Sequence, residues 1–365
     1  MTLRKLRLIF SSLALACAAC VDGARLPQGA HVTGLVADEA RIRSRAANER
    51  AYSPLPAGLE VERGVVYNPQ YPSECQLDVF RSSATPPPRP VIVKFHGGGL
   101  EGGDKSWHPQ VLHSLAGNGF LVITVNYRQY PEYRWPAMLE DGLEAMRWVG
   151  KHATAYGGDP ARLGVLGDSA GAYLAAAVAT FDPDVYVGLP APKPAAAVLW
   201  YGAYSFTERA GLDLTGWGSA PDWKLMPSSR DESPELWKLA SPVEHLTPDD
   251  GRFLVVHGER DRIVHPSQSV VFVQEAEERG VRARLLLVGN ADHGFRALPS
   301  LPPPTLSLDD VTSHSISFFQ EALRAQNEPA GIESTVRSDV ASGETVENTS
   351  TEQTKFRRKT TRTSP

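Results

Sequence analysis

The chain has 365 residues, of which 42% are hydrophobic and 22% are charged, as in an ordinary soluble globular protein. This length suffices for one large domain or two smaller ones with a sizeable core. The formal net charge of -5 at pH 7, with no long basic stripe outside the termini, argues against nucleic acid as the main partner.

Residues 1–20 are predicted to be an export signal. Three basic residues within positions 4–7 precede an apolar run over 8–19, which is too short to span a bilayer comfortably. Small residues before Cys20 suit signal cleavage, which would leave the protein either with a lipid on Cys20 or simply secreted. The alternative to a signal is a buried N-terminal helix. We expect an exported protein, periplasmic or secreted, that touches a membrane only through such a lipid. One cysteine, Cys75, lies beyond the signal, so no dependence on disulfide bonds is expected.

The segment that follows the signal leads into a β-rich section. Residues 21–58 are polar and are interpreted as a linker or as an N-terminal part of a lid. Residues 60–67 and 76–80 then alternate apolar and polar side chains, which predicts an antiparallel pair of strands at a sheet edge.

Buried strands and helices are predicted to alternate from residue 90 onward. The predicted strands are 90–95, 120–126, 163–166, 195–200, 253–257 and 282–288. The predicted helices are 109–118, 139–152, 172–180, 266–279 and 311–325. This alternation implies an α/β fold with a mostly parallel central sheet and helices on both faces, over residues 59–325.

Two segments do not fit that alternation. Residues 202–250 lack a strand pattern and hold three tryptophans among glycines, prolines and charges, so we interpret them as an inserted lid. The three tryptophans are Trp217, Trp223 and Trp237. They either stack on a sugar or pack within the lid, and packing is favoured.

Residues 326–365 are rich in Glu, Thr and Ser with a basic end, and are predicted to be a disordered tail.

A serine lies in a sharp turn between a predicted strand and a predicted helix. Residues 167–171 read Gly-Asp-Ser-Ala-Gly, which fits the Gly-x-Ser-x-Gly pattern of a nucleophile elbow, with Ser169 as the nucleophile. The helix N-terminus beside Ser169 favours developing negative charge. A mere turn of small residues is the alternative.

Backbone N–H groups for an oxyanion are expected from a glycine-rich loop after the 90–95 strand. The loop, 96–99, reads His-Gly-Gly-Gly, and residues without side chains let N–H groups approach a substrate closely. We favour Gly98 and Gly99, with the N–H of Ala170 as a further donor. A simple turn or a phosphate-binding loop is the alternative, but no Gly-Lys-Ser/Thr follows.

A serine hydroxyl needs a base and an orienting acid, and these are expected after the serine in the order Asp, His. Asp261 follows the 253–257 strand and His293 follows the 282–288 strand. Because parallel strands end at one edge of a sheet, these side chains can meet Ser169 there.

Other titratable residues near these loops are weaker candidates. Asp292, beside the base, is expected to point away from it, and Glu259 is the second rival acid. His257 and His265 are interpreted as structural. No cluster with metal-ligand spacing is evident, so no metal or cofactor is expected.

These segments together resemble the α/β-hydrolase superfamily over roughly residues 60–323. The closest branch is similar to the bacterial hormone-sensitive-lipase-like and acetyl/feruloyl-esterase-like carboxylesterases. The chain departs from that branch at Leu100, where an aromatic residue is common, and at 129–132, where Gln-Tyr-Pro-Glu replaces Leu-Ala-Pro-Glu. The matching pieces are 96–99, 102–105, 126–128, 157–160, 167–171 and the loops of Asp261 and His293.

The resemblance implies a serine carboxylesterase that cleaves short-acyl esters, either small molecules or groups attached to a polysaccharide, by way of an acyl-enzyme. An amidase, such as an arylformamidase-like enzyme, or a peptidase would use the same residues and is not separated from an esterase by sequence. A binding module without catalysis is the third reading, although such modules usually lose a member of the triad.

Overall fold

Residues 55–209, 212 and 224–324 are described by the computed structural model, and they build an eight-stranded sheet with helices on both faces. The strand order is β1-β2-β4-β3-β5-β6-β7-β8. The strands are β1 (Leu59–Val66), β2 (Gln76–Ser82), β3 (Arg89–Phe95), β4 (Leu121–Val125), β5 (Gly158–Asp168), β6 (Ala196–Trp200), β7 (Arg252–Gly258) and β8 (Ala283–Val288).

The helices alternate with the strands, as the sequence predicts. They are α1 (Pro109–Gly117), α2 (Ala137–His152), α3 (Ala170–Thr180), α4 (Pro183–Tyr186), α5 (Pro234–Leu239), α6 (Ser267–Glu278) and α7 (Leu308–Ala322). A small second sheet pairs β9 (Ala291–Asp292) with β10 (Arg296–Ala297) in antiparallel fashion.

The direction of the strands confirms the predicted fold class. β1 and β2 are antiparallel to their neighbours at one edge, and the pairs from β4 through β8 are parallel. The carboxyl ends of β3, β5, β7 and β8 therefore lie along the same edge of the sheet, where loops of an open α/β sheet build sites.

Apolar side chains of the sheet divide into two buried clusters, one on each face. In β3, Val91, Val93 and Phe95 belong to one cluster and Ile92 to the other, because successive residues of a strand point to opposite faces. Helices α2, α3 and α6 contribute to the first cluster, while α1 and α7 contribute to the second. Lys94, on the face of Ile92, is buried as well and needs a charged partner.

One predicted element is longer in the structure. β5 begins at Gly158, five residues before the predicted start at Leu163. Its first residues pair with β3, Gly158 opposite Arg89, across a register shift. Glycine, aspartate and proline at 158–160 favour a turn by local propensity, so only pairing with the neighbouring strand reveals this extension.

Several sequence predictions fall outside the described residues. The export signal, Cys20, most of the 21–58 segment and the 326–365 tail lie there, and these stay predictions. Only 202–209, 212 and 224–250 of the predicted lid are described, and Trp217 and Trp223 are outside them. Trp237, by contrast, is fully buried in α5 and its indole N–H donates to the Ser228 carbonyl, so it packs rather than facing a ligand.

Across 55–209, 212 and 224–324, no helix combines the length and hydrophobicity that crossing a membrane requires.

Candidate active site

Ser169 lies in a tight turn between the end of β5 and the start of α3. Its backbone has φ 54° and ψ -121°, a conformation that residues with side chains seldom adopt and that is typically found at functional turns. The flanking glycines make room for this turn. A Cβ atom on Gly167 would lie 2.0 Å from the Gly171 carbonyl oxygen, and one on Gly171 would lie 2.2 Å from the carbonyl oxygen of Phe95. The turn thus has the geometry predicted for a nucleophile elbow.

The three predicted triad side chains form one hydrogen-bonded series. His293 Nε2 lies 3.0 Å from Ser169 Oγ, and His293 Nδ1 lies 2.8 Å from Asp261 Oδ2. An ionised carboxylate only accepts hydrogen bonds, so Nδ1 carries the hydrogen and Nε2 is left to accept the serine proton. The Tyr201 ring packs edge-on against the imidazole, with the ring centroids 4.7 Å apart. This arrangement can raise the nucleophilicity of the serine hydroxyl.

Asp261 receives a donor on every side of its carboxylate. Oδ1 accepts from the backbone N–H groups of Ile263 and Val264, each at 2.9 Å. Oδ2 accepts from His293 and lies 3.2 Å from Nε2 of the buried His257. Burial would raise the pKa of Asp261, but the hydrogen bonds from His257 and His293 hold that pKa well below its usual range. Asp261 is therefore an anion at neutral pH.

One rival acid is engaged elsewhere and the other is exposed to solvent. Asp292 forms an ion pair with Arg262 at 2.5 Å and accepts the backbone N–H of His293 at 2.8 Å, so both of its carboxylate oxygens are engaged within the loop. Glu259 is exposed. The geometry thus favours Asp261 over both rivals.

The glycine loop offers free N–H groups beside the serine. Gly97 donates its N–H to Asp168 Oδ2 at 3.1 Å, so that group is already used. Among residues 55–209, 212 and 224–324, the N–H groups of Gly98, Gly99 and Ala170 have no acceptor. Gly98, with φ 111°, lies so close to the next turn that an added Cβ would be 2.3 Å from the Gly102 carbonyl oxygen. These three N–H groups are the ones expected for an oxyanion hole.

A buried ion pair supports both the elbow and the glycine loop. Lys94 Nζ lies 2.8 Å from Asp168 Oδ1, with 0% and 4% of the two side chains exposed. His108 Nε2 lies 3.7 Å from Asp168 Oδ2. Burial would raise the pKa of Asp168, but the positive charge of Lys94 lowers it overall. This pair was not predicted from the sequence, although a lysine inside the apolar, β-branched 90–95 run was a visible signal.

The first residue of the loop, His96, is locked in place by neighbouring groups. Its Nδ1 lies 2.7 Å from the Gly97 carbonyl oxygen, and its ring stacks on Tyr127 with centroids 4.4 Å apart. The Tyr127 hydroxyl donates to the His96 carbonyl at 2.7 Å. Burial lowers the pKa of His96 to about 4, so this imidazole is neutral at pH 7. Gln129 closes the loop by donating to the Gly102 carbonyl at 3.0 Å.

The remaining motif residues of the 102–105 and 126–128 pieces hold these loops to the sheet. Asp104 accepts from the side chain of Asn126 at 2.9 Å, and Lys105 Nζ pairs with Asp78 at 3.0 Å. Arg128 pairs with the buried Asp141 at 2.8 Å. These side chains have structural roles and do not face the serine hydrogen-bond series.

No group of three or more His, Cys, Asp and Glu side chains is arranged to hold a metal ion in the part of the chain that the structure describes.

The topology and the turn at Ser169 define the class to which this protein belongs. A mostly parallel eight-stranded sheet, with a serine elbow after β5 and loops after β7 and β8 that meet it, is the α/β-hydrolase fold. The BD-FAE family model matches residues 77–275, more than half of the chain. The chain belongs to the BD-FAE family.

Similar curated proteins come from Mycobacterium tuberculosis. Esterase LipC is 30% identical over 252 residues, which is 67% of this chain and 61% of LipC. Carboxylesterase NlhH is 40% identical over 133 residues, which is 34% of this chain and 40% of NlhH. The chain spans between 45% and 61% of the length of LipC, LipQ and LipM, three curated relatives that it matches.

Solved structures share the fold at low identity. A truncated carbohydrate esterase from gut microbiota superimposes with a TM-score of 0.65 and 23% identity, covering 74% of this chain and 99% of that one. The thermophilic esterase Est2 of Thermogutta terrifontis superimposes with a TM-score of 0.59 and 24% identity, covering 76% of this chain and 98% of Est2. These likenesses concern the fold.

Proposed function

We propose that this protein is a serine carboxylesterase that hydrolyses short-acyl carboxylic esters. The observation that carries the proposal is the unbroken hydrogen-bond series from Ser169 through His293 to Asp261, at 3.0 and 2.8 Å. The relatives named as esterases, among them LipC and NlhH, support ester cleavage as the reaction class.

The proposed chemistry has two acyl-transfer steps. Ser169 Oγ attacks the ester carbonyl carbon as its proton passes to His293 Nε2, and Asp261 stabilises the imidazolium that results. The tetrahedral oxyanion accepts hydrogen bonds from the N–H groups of Gly98, Gly99 and Ala170. The intermediate collapses and the alcohol leaves with the proton from His293.

Water then completes the reaction. It attacks the acyl-Ser169 carbonyl while giving a proton to His293, and the carboxylic acid departs as Ser169 recovers its hydrogen. The balance of atoms needs the ester and one water, and no cofactor.

A preference for short acyl groups is supported by the described part of the 202–250 segment. A lipase for long chains needs a large exposed apolar lid surface. Within 202–209, 212 and 224–250 no large hydrophobic side chain is exposed, and Leu225, Met226 and Trp237 are all buried. One structure of Est2 contains propionate and another contains butyrate, which is consistent with the same preference here.

The nucleophile is tested by the Ser169→Ala variant with p-nitrophenyl acetate as substrate. We expect loss of at least about a thousandfold in kcat, because removing a triad member leaves only the oxyanion hole and binding. Circular dichroism should show a folded protein, since the side chain of Ser169 is small. Turnover retained by the purified variant would contradict the assignment of the nucleophile.

The substrate class is tested with the wild-type protein. A series of p-nitrophenyl esters from acetate to laurate, with acetylated xylan beside them, should give the highest kcat/KM at two to four acyl carbons. Phenyl acetate and acetanilide, which carry the same acyl group on an ester oxygen and on an amide nitrogen, are assayed in parallel to decide between esterase and amidase. Faster cleavage of the anilide would replace the proposal with an amidase, and a fluorophosphonate probe that fails to label the protein would indicate a binding module.

A further inference from the structure

A second histidine contacts the carboxylate that orients the base. His257 lies near the end of β7 and is fully buried. Its Nε2 is 2.9 Å from the Val264 carbonyl oxygen and 3.2 Å from Asp261 Oδ2. A carbonyl oxygen can only accept, so Nε2 carries a hydrogen. Nε2 also lies within hydrogen-bond distance of Oδ2 of Asp261, so its hydrogen can be shared between the two acceptors.

The other ring nitrogen of His257 is held in the matching tautomer. Nδ1 lies 2.6 Å from Ser269 Oγ. In a neutral imidazole whose Nε2 donates, Nδ1 accepts, so the Ser269 hydroxyl donates to it. The Tyr204 hydroxyl interacts with Ser269 and itself accepts the N–H of Gly202 at 3.1 Å.

We propose that His257 is a positioning residue, whose Nε2–H holds the Asp261 carboxylate in the orientation that receives Nδ1–H of His293. The inference rests on the proposed function, because it concerns the same site. Backbone N–H groups secure Oδ1 of Asp261 from one side only. On Oδ2, His257 is the second donor beside His293 and resists rotation of the carboxylate.

A role in packing alone would have a different signature. A buried imidazole that merely fills space in β7 would affect stability when replaced, with no selective effect on kcat. A positioning residue affects the transition state, where the charge on His293 makes the orientation of Asp261 important. Three measurements therefore separate the two roles. They are the change in kcat compared with the change in KM, the recovery of kcat in a conservative variant, and the proton resonance of the His293–Asp261 hydrogen bond.

The experiment compares four variants of the full chain on p-nitrophenyl acetate. His257→Leu removes the donor, and we expect kcat to fall by about tenfold or more at an unchanged KM. His257→Gln places an amide N–H near the position of Nε2 and should restore most of kcat. His257→Asn is equally polar but one methylene shorter, and should fail to restore it. His113→Leu, the same change in a partly buried histidine of α1 against Phe80, should leave kcat unchanged.

The downfield proton resonance of the His293–Asp261 hydrogen bond gives a readout that does not depend on turnover. We expect it to shift in His257→Leu and in His257→Asn, and to stay near its wild-type position in His257→Gln. If His257→Leu does not fold, the comparison of Gln with Asn carries the test, since both keep a polar side chain.

Two outcomes would overturn the inference. One is wild-type kcat in folded His257→Leu or His257→Asn, and the other is equal loss of kcat in the Gln and Asn variants with the downfield resonance unmoved. Failure of the proposed function is distinguishable, because then the wild-type protein itself would not hydrolyse the ester, while the resonance would still report the contact.

Discussion

At the scale of single residues, Asp168 links three parts of the site. It precedes the nucleophile, accepts the N–H of Gly97 with Oδ2 at 3.1 Å, and pairs through Oδ1 with Lys94 at 2.8 Å. The carboxylate thereby fixes the start of the glycine loop and leaves the next two N–H groups unpaired. The positive charge of Lys94 offsets the cost of burying this carboxylate, since a lone buried carboxylate is strongly disfavoured.

Breaking this ion pair is expected to destabilise the protein. In Lys94→Met the carboxylate of Asp168 stays buried without its counter-ion, and the free energy of unfolding should fall by about 3–5 kcal/mol. In Lys94→Met/Asp168→Asn both charges are removed, so the double variant should be more stable than the sum of the two single changes implies.

Urea unfolding followed by tryptophan fluorescence provides these free energies as a double-mutant cycle. Arg252→Met, which removes an exposed cation paired with Glu321 at 3.1 Å, is the control and should change stability by less than about 1 kcal/mol. Additive effects of the Lys94 and Asp168 changes would show that the two charges do not interact.

Some residues of the candidate site could be predicted from the sequence, and others could not. Ser169, Asp261 and His293 follow apolar runs that end at one edge of a parallel sheet, so their meeting was predictable from strand order alone. His257 was interpreted only as structural, because its contact with Asp261, four positions further along the chain, depends on how the loop after β7 folds back on its strand. The Lys94–Asp168 pair joins residues 74 positions apart, and no local pattern indicates such a partner.

At the scale of secondary structure, long elements were predictable and short ones were not. The helices α2 and α7 were predicted within three residues of their observed ends, since each has a clear apolar stripe. α4 and α5 have four and six residues, too few to show a helical period. β9 and β10 have two residues each and are defined by pairing across the His293 turn, so tertiary contact creates them.

Replacing glycine by alanine is expected to have opposite effects on stability at two positions. One lies where α3 closely approaches β3, and the other lies at the exposed end of α1. Gly171→Ala should destabilise the protein by about 3 kcal/mol or more, because its Cβ would lie 2.2 Å from the backbone oxygen of Phe95. Gly117→Ala, at the exposed end of α1 with no atom within 4 Å of the new Cβ, should stabilise it by about 0.5–1 kcal/mol. Thermal unfolding of both variants checks the signs. A Gly171→Ala protein as stable as wild type would contradict the packing of α3 on β3.

At the scale of the whole molecule, one buried and two partly buried histidines link stability to pH. Burial lowers the pKa of His96 from 6.5 to about 4, and it lowers the pKa of His108 and of His245 as well. These three lie in different places: the glycine loop, the residue before α1, and a turn packed on Phe181. In the unfolded chain each would bind a proton near pH 6.5, whereas in the folded protein each binds a proton only at a lower pH.

The free energy of unfolding is therefore expected to decrease as pH falls from 7 to 5. In this window the unfolded state binds more protons than the folded state, and His96 alone should remove about 2 kcal/mol, with His108 and His245 adding to that loss. Urea unfolding at half-unit pH intervals measures the slope. His245→Gln should flatten it, because glutamine does not titrate, while His314→Gln, at an exposed position of α7, should leave it as in wild type. A free energy that stays constant between pH 7 and pH 5 would mean that the folded protein takes up protons on these imidazoles as readily as the unfolded chain does.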